Sequence, residues 1–305
     1  MIILKLITFK DKDGTIKAGW IEKEQVFDME KASGGKLPGS ILGFLEQFEE
    51  NYNLASQIAG HDQLGTYKLN EIELLAPLPN PRSVRDFMAF EGHVATIAAK
   101  NKQNVVPEWY EIPVFYFTNH HAITGPNQKI KRPAQCSELD YELEIACIIG
   151  REGRNISAEQ AEDYIAGYTI LNDWSARDLQ MKEMKAGLGP AKGKDFATSI
   201  GPYIVTKDEL EEFRDGDRLN LEMTAKVNGK QLSKGNFKHI HHSFEQMIER
   251  ASSDATLYPG DIIGSGTVST GCILELGTDI HSWLQPGDVV ELEITGLGKL
   301  TNEIM

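Results

Sequence analysis

The apolar positions of the chain open in short runs of strand character. Residues 3–9 (ILKLITF), 16–22 (IKAGWIE) and 25–29 (QVFDM) are separated by the turn DKDGT and a second short connection, which predicts a β meander over residues 1 to about 30. Gly34, Gly35, Pro38 and Gly39 end that pattern. Ser40 can then cap a helix in which Ile41, Leu45 and Phe48 recur at helical spacing. A second short helix is expected around Leu54 to Ile58, ending at Gly60. Pro77, Pro79 and Pro81 follow within five residues, and proline at that density removes donors and favours extended chain. The domain boundary is therefore expected near residue 78, with a small domain at 1–78 and a larger one at 79–305.

Beyond the boundary the pattern is mostly that of strands. EIPVFYFTN, DYELEIACIIG, GYTILNDW, GPYIVT, LNLEMTAKVNG and VVELEITGLG are β-branched or aromatic runs bounded by Gly, Pro and Asn. Helices are few. Ser157 and Gln160 form a possible capping box for a helix running to Gly167. HSFEQMIERAS places Phe244, Met247 and Ile248 on one helical face, and the stretch from His93 to Tyr110 reads as a helix followed by a loop. A β-rich body with scattered helices predicts an α+β fold rather than alternating βαβ units. No repeat or low-complexity tract is visible, and no P-loop or GxGxxG follows a strand.

Composition changes this picture mainly by exclusion. The 305 residues include 31 Lys+Arg and 45 Asp+Glu, a formal charge of −14. Such an excess argues against binding to nucleic acid or to an anionic membrane surface, both of which need clustered basic residues. No run approaches the roughly 18 apolar residues that a membrane span needs. The start, MIILKLITFK, reads as a first strand rather than a signal peptide. Cys136, Cys147 and Cys272 form no CxxC pair and are odd in number, which favours three buried thiols and a reducing cytoplasm.

The chemistry begins at Glu142-Leu143-Glu144, inside an apolar run. Residues two apart on a strand share a face, so the two carboxylates would lie side by side and repel. A divalent cation is one remedy, Lys or Arg partners are another, and a solvated strand face is the alternative. Asp173 ends the run YTILND, where an apolar strand meets a polar turn. An N-cap or Asx-turn is the competing role for it. Three oxygen ligands would select Mg²⁺, Mn²⁺ or Ca²⁺ over Zn²⁺. Asp86 could add a fourth oxygen, and His93, seven residues on, could act as a general base, with Glu91 as a possible orienting partner. The loop GLGPAKGKDF presents Lys194, which could stabilise an enolate, and Gly264-Ser265-Gly266-Thr267 could offer backbone N–H groups to an anion. Both are otherwise ordinary loops. His239, His241 and His242 lack matched ligand spacing and are read as leading into a helix.

Together, Asp86…His93, Glu142-x-Glu144, NDWSARDLQ, GPAKGKDF and GSGT resemble the fumarylacetoacetate hydrolase family, in the right order over roughly residues 79 to 305. The resemblance implies a mixed β-roll catalytic domain behind a small N-terminal α/β domain, a divalent ion, and usually a homodimer. By position, Glu142, Glu144 and Asp173 look like the metal carboxylates, with Asp86 as the fourth ligand and Mg²⁺ as the expected ion. His93 matches the water-activating base and Glu275 the carboxylate that orients it. Gln180, Lys194 and Thr267 match groups that hold the substrate's charge. Tyr116 retains one aromatic hydroxyl contact, and the helix after His93 would form a lid. The sequence departs from the family where tyrosines are expected, at Met88 and Met184, and where a substrate-binding arginine is expected, at Lys102.

These implications lead to an expected hydrolase that cleaves a C–C bond in a small 1,3-dicarbonyl acid, acylpyruvate-like or fumarylacetoacetate-like. The partner is then a small keto acid. An oxaloacetate-type decarboxylase or keto-enol tautomerase on the same machinery is the alternative. A non-catalytic small-acid-binding protein is a third reading.

Overall fold

The computed structural model describes residues 4–59 and 66–305. The opening meander forms as Lys5–Lys10, Ile16–Glu22 and Gln25–Asp28, paired antiparallel in sequence. Met1 to Ile3 lie outside the described residues, as does Gly60, the expected helix end. Ser40 caps as expected, its Oγ accepting from Gly43 N at 3.1 Å. The helix it starts stops at Glu46, however, and Phe48 begins a separate helix, Phe48–Ile58.

The meander does not stand apart from the rest of the chain. Lys5–Lys10 pairs antiparallel with Thr198–Thr206, so strands from both sides of residue 78 share one twelve-stranded sheet. From there the sheet runs through Ile165–Asp173, Leu143–Ile149, Ile262–Gly264, Val84–Phe87 and Phe115–Phe117, with only the Ile262–Gly264/Val84–Phe87 pair of this series parallel. Leu143–Ile149 is buried at every position because the sheet is covered on both faces. Leu143, Ile145, Cys147 and Ile149 pack on one side with Ala225, Leu292 and Ile304 of a five-stranded sheet. Ala146 and Ile148 pack on the other, with Ile41, Phe44 and Leu45 of the N-terminal helices.

Of the helices expected from sequence, Phe244–Ser252 forms with a capping box between Ser243 and Gln246, and buries Phe244, Met247 and Ile248. The box expected at Ser157 and Gln160 does not form. Ala158–Tyr164 is a 3₁₀ segment without a side-chain cap bond, and Gly167 lies inside the following strand. Cys136, Cys147 and Cys272 are free and buried. No helix among the described residues is long and apolar enough to cross a membrane.

Candidate active site

Strand register assembles the acidic centre. Asp86 of Val84–Phe87 lies opposite Gly264, and Gly264 lies opposite Ala146, two residues on from Glu144. The glycine is what lets the two carboxylates meet across the intervening strand. A Cβ at Gly264 would stand 2.4 Å from Asp86 Oδ1 and 3.3 Å from Glu144 Oε2. Asp173 ends the neighbouring strand, where Leu143 pairs with Asn172. On the other flank Tyr116 lies opposite Asp86, and its hydroxyl donates to Asp173 Oδ2.

Asp86, Glu144 and Asp173 are buried and offer oxygens within 4.8 Å of one another. Gly266 N donates to Asp86 Oδ1 at 3.3 Å and to Glu144 Oε2 at 3.2 Å, so GSGT does present a backbone donor to anions. Burial, reinforced by repulsion from the neighbouring carboxylates, pushes Asp86 and Glu144 well above the usual carboxylate range. Burial also raises Asp173, against the pull of Lys194. Burial first, then the charge on Asp173, raises the Tyr116 phenol.

Glu142 is held differently. It lies just before the strand, with Lys194 Nζ 2.5 Å from its Oε2 and Arg177 Nη1 2.8 Å from its Oε1. Burial works against its charge, but the two cations outweigh burial and hold its carboxyl well below the usual range. Lys194 also lies 2.5 Å from Asp173 Oδ2, and its carboxylate neighbours overcome burial to keep it protonated. The loop reaches this depth because Gly193 packs on Gln180, where a Cβ would meet the backbone nitrogen at 2.8 Å.

Whether a divalent cation fits can be judged from the oxygens left over. Glu144 Oε1 and Asp173 Oδ1 are buried without a hydrogen-bond partner, a costly arrangement for carboxylates. Within the connected cluster, the buried carboxylates Asp86, Asp140, Glu142, Glu144 and Asp173 stand against two buried cations, Arg177 and Lys194. An all-oxygen donor set short of positive charge fits a hard divalent cation at Asp86, Glu144 and Asp173, with Glu142 adjoining.

The base candidate is on the helix Glu91–Lys100. His93 is 9% exposed, and its Nδ1 lies 3.1 Å from Glu275 Oε2 without the alignment of a formed hydrogen bond. Such bonds are often loose before substrate binds. Gly92 permits this approach, since a Cβ there would stand 2.2 Å from Ser269 Oγ. Lys100 Nζ ties the far end of the helix to Leu274 O at 2.7 Å. Glu91 is not the orienting partner: it is exposed and accepts from the Tyr110 hydroxyl at 2.9 Å.

The remaining candidates divide. Gln180 accepts from Arg177 Nη1 at 3.2 Å, and Thr267 is buried between the backbone bonds Ser265 N to Ile145 O and Val268 N to Leu143 O. Lys102 is exposed beyond the end of its helix, with no hydrogen bond or ion pair to the cluster among the described residues. His241 and His242 pack around Trp109, with His242 Nε2 2.7 Å from Trp109 O.

Sequence reasoning missed Arg177 and Asp140. Arg177 Nε and Nη2 contact Asp140 Oδ2 at 3.0 and 2.8 Å, while Asp140 accepts from Ile273 N at 2.8 Å and Leu274 N at 3.0 Å. Burial pushes the Asp140 carboxyl up, yet four donors aimed at its two oxygens are the arrangement of an ionised carboxylate. The pair thus connects Glu142 to the short helix Ile273–Leu276 that carries Glu275. The available signal was the alternation Asp140-x-Glu142-x-Glu144.

Known proteins resemble this chain along most of its length. The profile of the fumarylacetoacetate (FAA) hydrolase C-terminal family matches residues 82–305. Oxaloacetate tautomerase YisK of Bacillus subtilis is 31% identical, over 93% of this chain and 94% of its own length. The fumarylacetoacetate hydrolase EaFAH of Exiguobacterium antarcticum superposes with a TM-score of 0.77 at 27% identity, covering 99% of both chains. The 5-carboxymethyl-2-hydroxymuconate delta-isomerase of Mycobacterium smegmatis does so with a TM-score of 0.70 at 27% identity, also over 99% of both.

Proposed function

The chain belongs to the fumarylacetoacetate hydrolase family, and from that premise we propose that it is a divalent-cation-dependent enzyme interconverting the keto and enol forms of oxaloacetate. The observation that carries this reading is a buried carboxylate cluster, short of positive charge, built with a His–Glu pair. The similarity to a tautomerase along nearly the whole chain supports the choice of substrate.

Tautomerisation moves one proton between the carbon next to the carbonyl and the carbonyl oxygen. His93 accepts the proton from that carbon, and Glu275, at 3.1 Å, stabilises the imidazolium that results. The electrons of the C–H bond form the C=C bond and place negative charge on oxygen, for which Lys194 supplies a buried ammonium. Asp86, Glu144 and Asp173 would hold the divalent cation, Mg²⁺ being the ion that oxygen donors favour, and when bound it would supply Lewis-acid polarisation of the 2-oxo group. Return of the proton to oxygen completes the enol and restores neutral His93.

The test follows the ultraviolet absorbance of enol-oxaloacetate with Mg²⁺ or Mn²⁺. Enzyme should accelerate its decay over the spontaneous rate while total oxaloacetate, assayed with malate dehydrogenase, stays constant. Loss of total oxaloacetate with release of CO₂ would replace this reading by decarboxylation. A second reading, hydrolysis of a C–C bond in an acylpyruvate, is favoured by the same His93–Glu275 pair, which is equally suited to activating water. Two organic fragments from an acylpyruvate panel would establish it.

A further inference from the structure

Cys272 lies at the edge of the proton-transfer pair but has no part in the chemistry proposed above. It is the residue immediately before the helix Ile273–Leu276, is fully buried, and sits with its sulfur 4.0 Å from Glu275 Oε2. The same Glu275 oxygen is 3.1 Å from His93 Nδ1. A ring nitrogen of His93, the sulfur of Cys272 and an oxygen of Glu275 all lie within 4.8 Å of one another. His93 Nδ1 is itself buried without a hydrogen-bond partner.

From this juxtaposition we infer that His93, Cys272 and Glu275 form a second, inhibitory metal site selective for Zn²⁺. The donor chemistry separates it from the carboxylate trio. One nitrogen, one sulfur and one oxygen suit the borderline-soft Zn²⁺, whereas the all-oxygen trio suits Mg²⁺. Zn–ligand bonds of about 2.0–2.3 Å need donor atoms roughly 3.5 Å apart, so the sulfur closes on its partners by at most about 1.3 Å while the His93–Glu275 pair, at 3.1 Å, opens slightly. Binding converts the thiol to a thiolate and releases its proton to solvent. The Gly271 N–H, 2.9 Å from Glu275 Oε2, already orients the carboxylate ligand.

The consequence for turnover rests on the roles of His93 and Glu275 proposed above. With Nδ1 on the metal, the ring proton resides on Nε2, and that nitrogen no longer accepts a proton from substrate. Glu275, bound to the same ion, no longer stabilises an imidazolium. Zn²⁺ therefore stops catalysis while Mg²⁺ remains in place.

The experiment uses the full chain saturated with Mg²⁺. Zn²⁺ affinity is measured by competition with a chromophoric chelator, and Co²⁺ is added as a spectroscopic substitute. A thiolate-to-Co²⁺ charge-transfer band is expected in the native chain and should vanish in Cys272→Ser and Cys272→Ala. In both variants Zn²⁺ affinity should fall by more than about 100-fold, because a ligand itself is lost rather than its support. Zn²⁺ inhibition, expressed against each variant's own rate, should weaken in parallel. Unchanged affinity in both variants, no thiolate band, or a band that survives in them would overturn the site. The band and the chelator competition do not depend on turnover, so a failure of the tautomerase reading would leave them intact.

Discussion

Burial and charge set individual residues apart more sharply than their spacing does. Glu142 and Glu144 are two residues apart, yet Glu142 has two cations and Glu144 keeps an orphan oxygen. Glu144→Gln should lower Mn²⁺ affinity by about 100-fold, read by titration calorimetry, since it removes a ligand charge outright. His93→Ala should leave that affinity in place and lower kcat by about 10²–10⁴, the usual range for a lost general base. If kcat were unchanged, His93 would have no part in proton transfer. His242 carries a pH dependence. Burial depresses its pKa below the ordinary 6.5, because the charged ring is disfavoured where it sits. The stability linked to neutral His242 is therefore full above about 6.5 and is lost as the pH falls through its lower native value. Melting temperatures between pH 7.5 and 5 should drop less in His242→Gln than in the native chain.

Among the elements, the short helix Ile273–Leu276 depends most on its surroundings. Four residues do not form a stable helix alone. Asp140 holds its first N–H groups and is itself held by Arg177. Asp140→Asn should lower stability by about 3–5 kcal/mol, as expected when one partner of a buried ion pair is removed. A loss of less than about 1 kcal/mol, read as the urea midpoint shift multiplied by the m-value, would show the pair to be dispensable. The elements also show where periodicity was sufficient and where it was not. Phe244–Ser252 was readable because its apolar face and its cap agree. The Ser157 cap was not realised, because Ala158–Tyr164 winds as 3₁₀ and the chain must return to strand by Ile165.

For the whole molecule, the net charge of −14 matters less than where the negative charge is buried. Most acidic residues face solvent, while the cluster between the sheet's central strands pits carboxylates against one another. A divalent cation that binds only the folded chain should raise its stability by about 2.7 kcal/mol at a concentration 100 times Kd. Thermal unfolding with Mn²⁺ and then with excess EDTA measures this directly. An unchanged melting temperature would argue that the trio does not bind the ion. For the oxaloacetate proposed above, the same charge balance predicts repulsion by the cluster when the cation is absent.

The β-rich character was legible in the sequence alone, and the ordered set Asp86, His93, Glu142, Glu144, Asp173, Lys194 and Glu275 was singled out there through its resemblance to the family. Strand character depends on residue type and local pattern, which a linear chain carries in full, whereas roles such as that of Glu275 came only from the resemblance. Tertiary structure decided the rest. Only strand register places Gly264 between Asp86 and Glu144, and only packing gives Glu142 to Arg177 and Lys194. The link from Arg177 through Asp140 to the Glu275 helix joins residues 133 positions apart, and no local rule specifies a contact across that separation. Which carboxylates keep free oxygens for an ion is likewise decided by long-range contacts, because a buried charge takes its character from what the fold sets beside it.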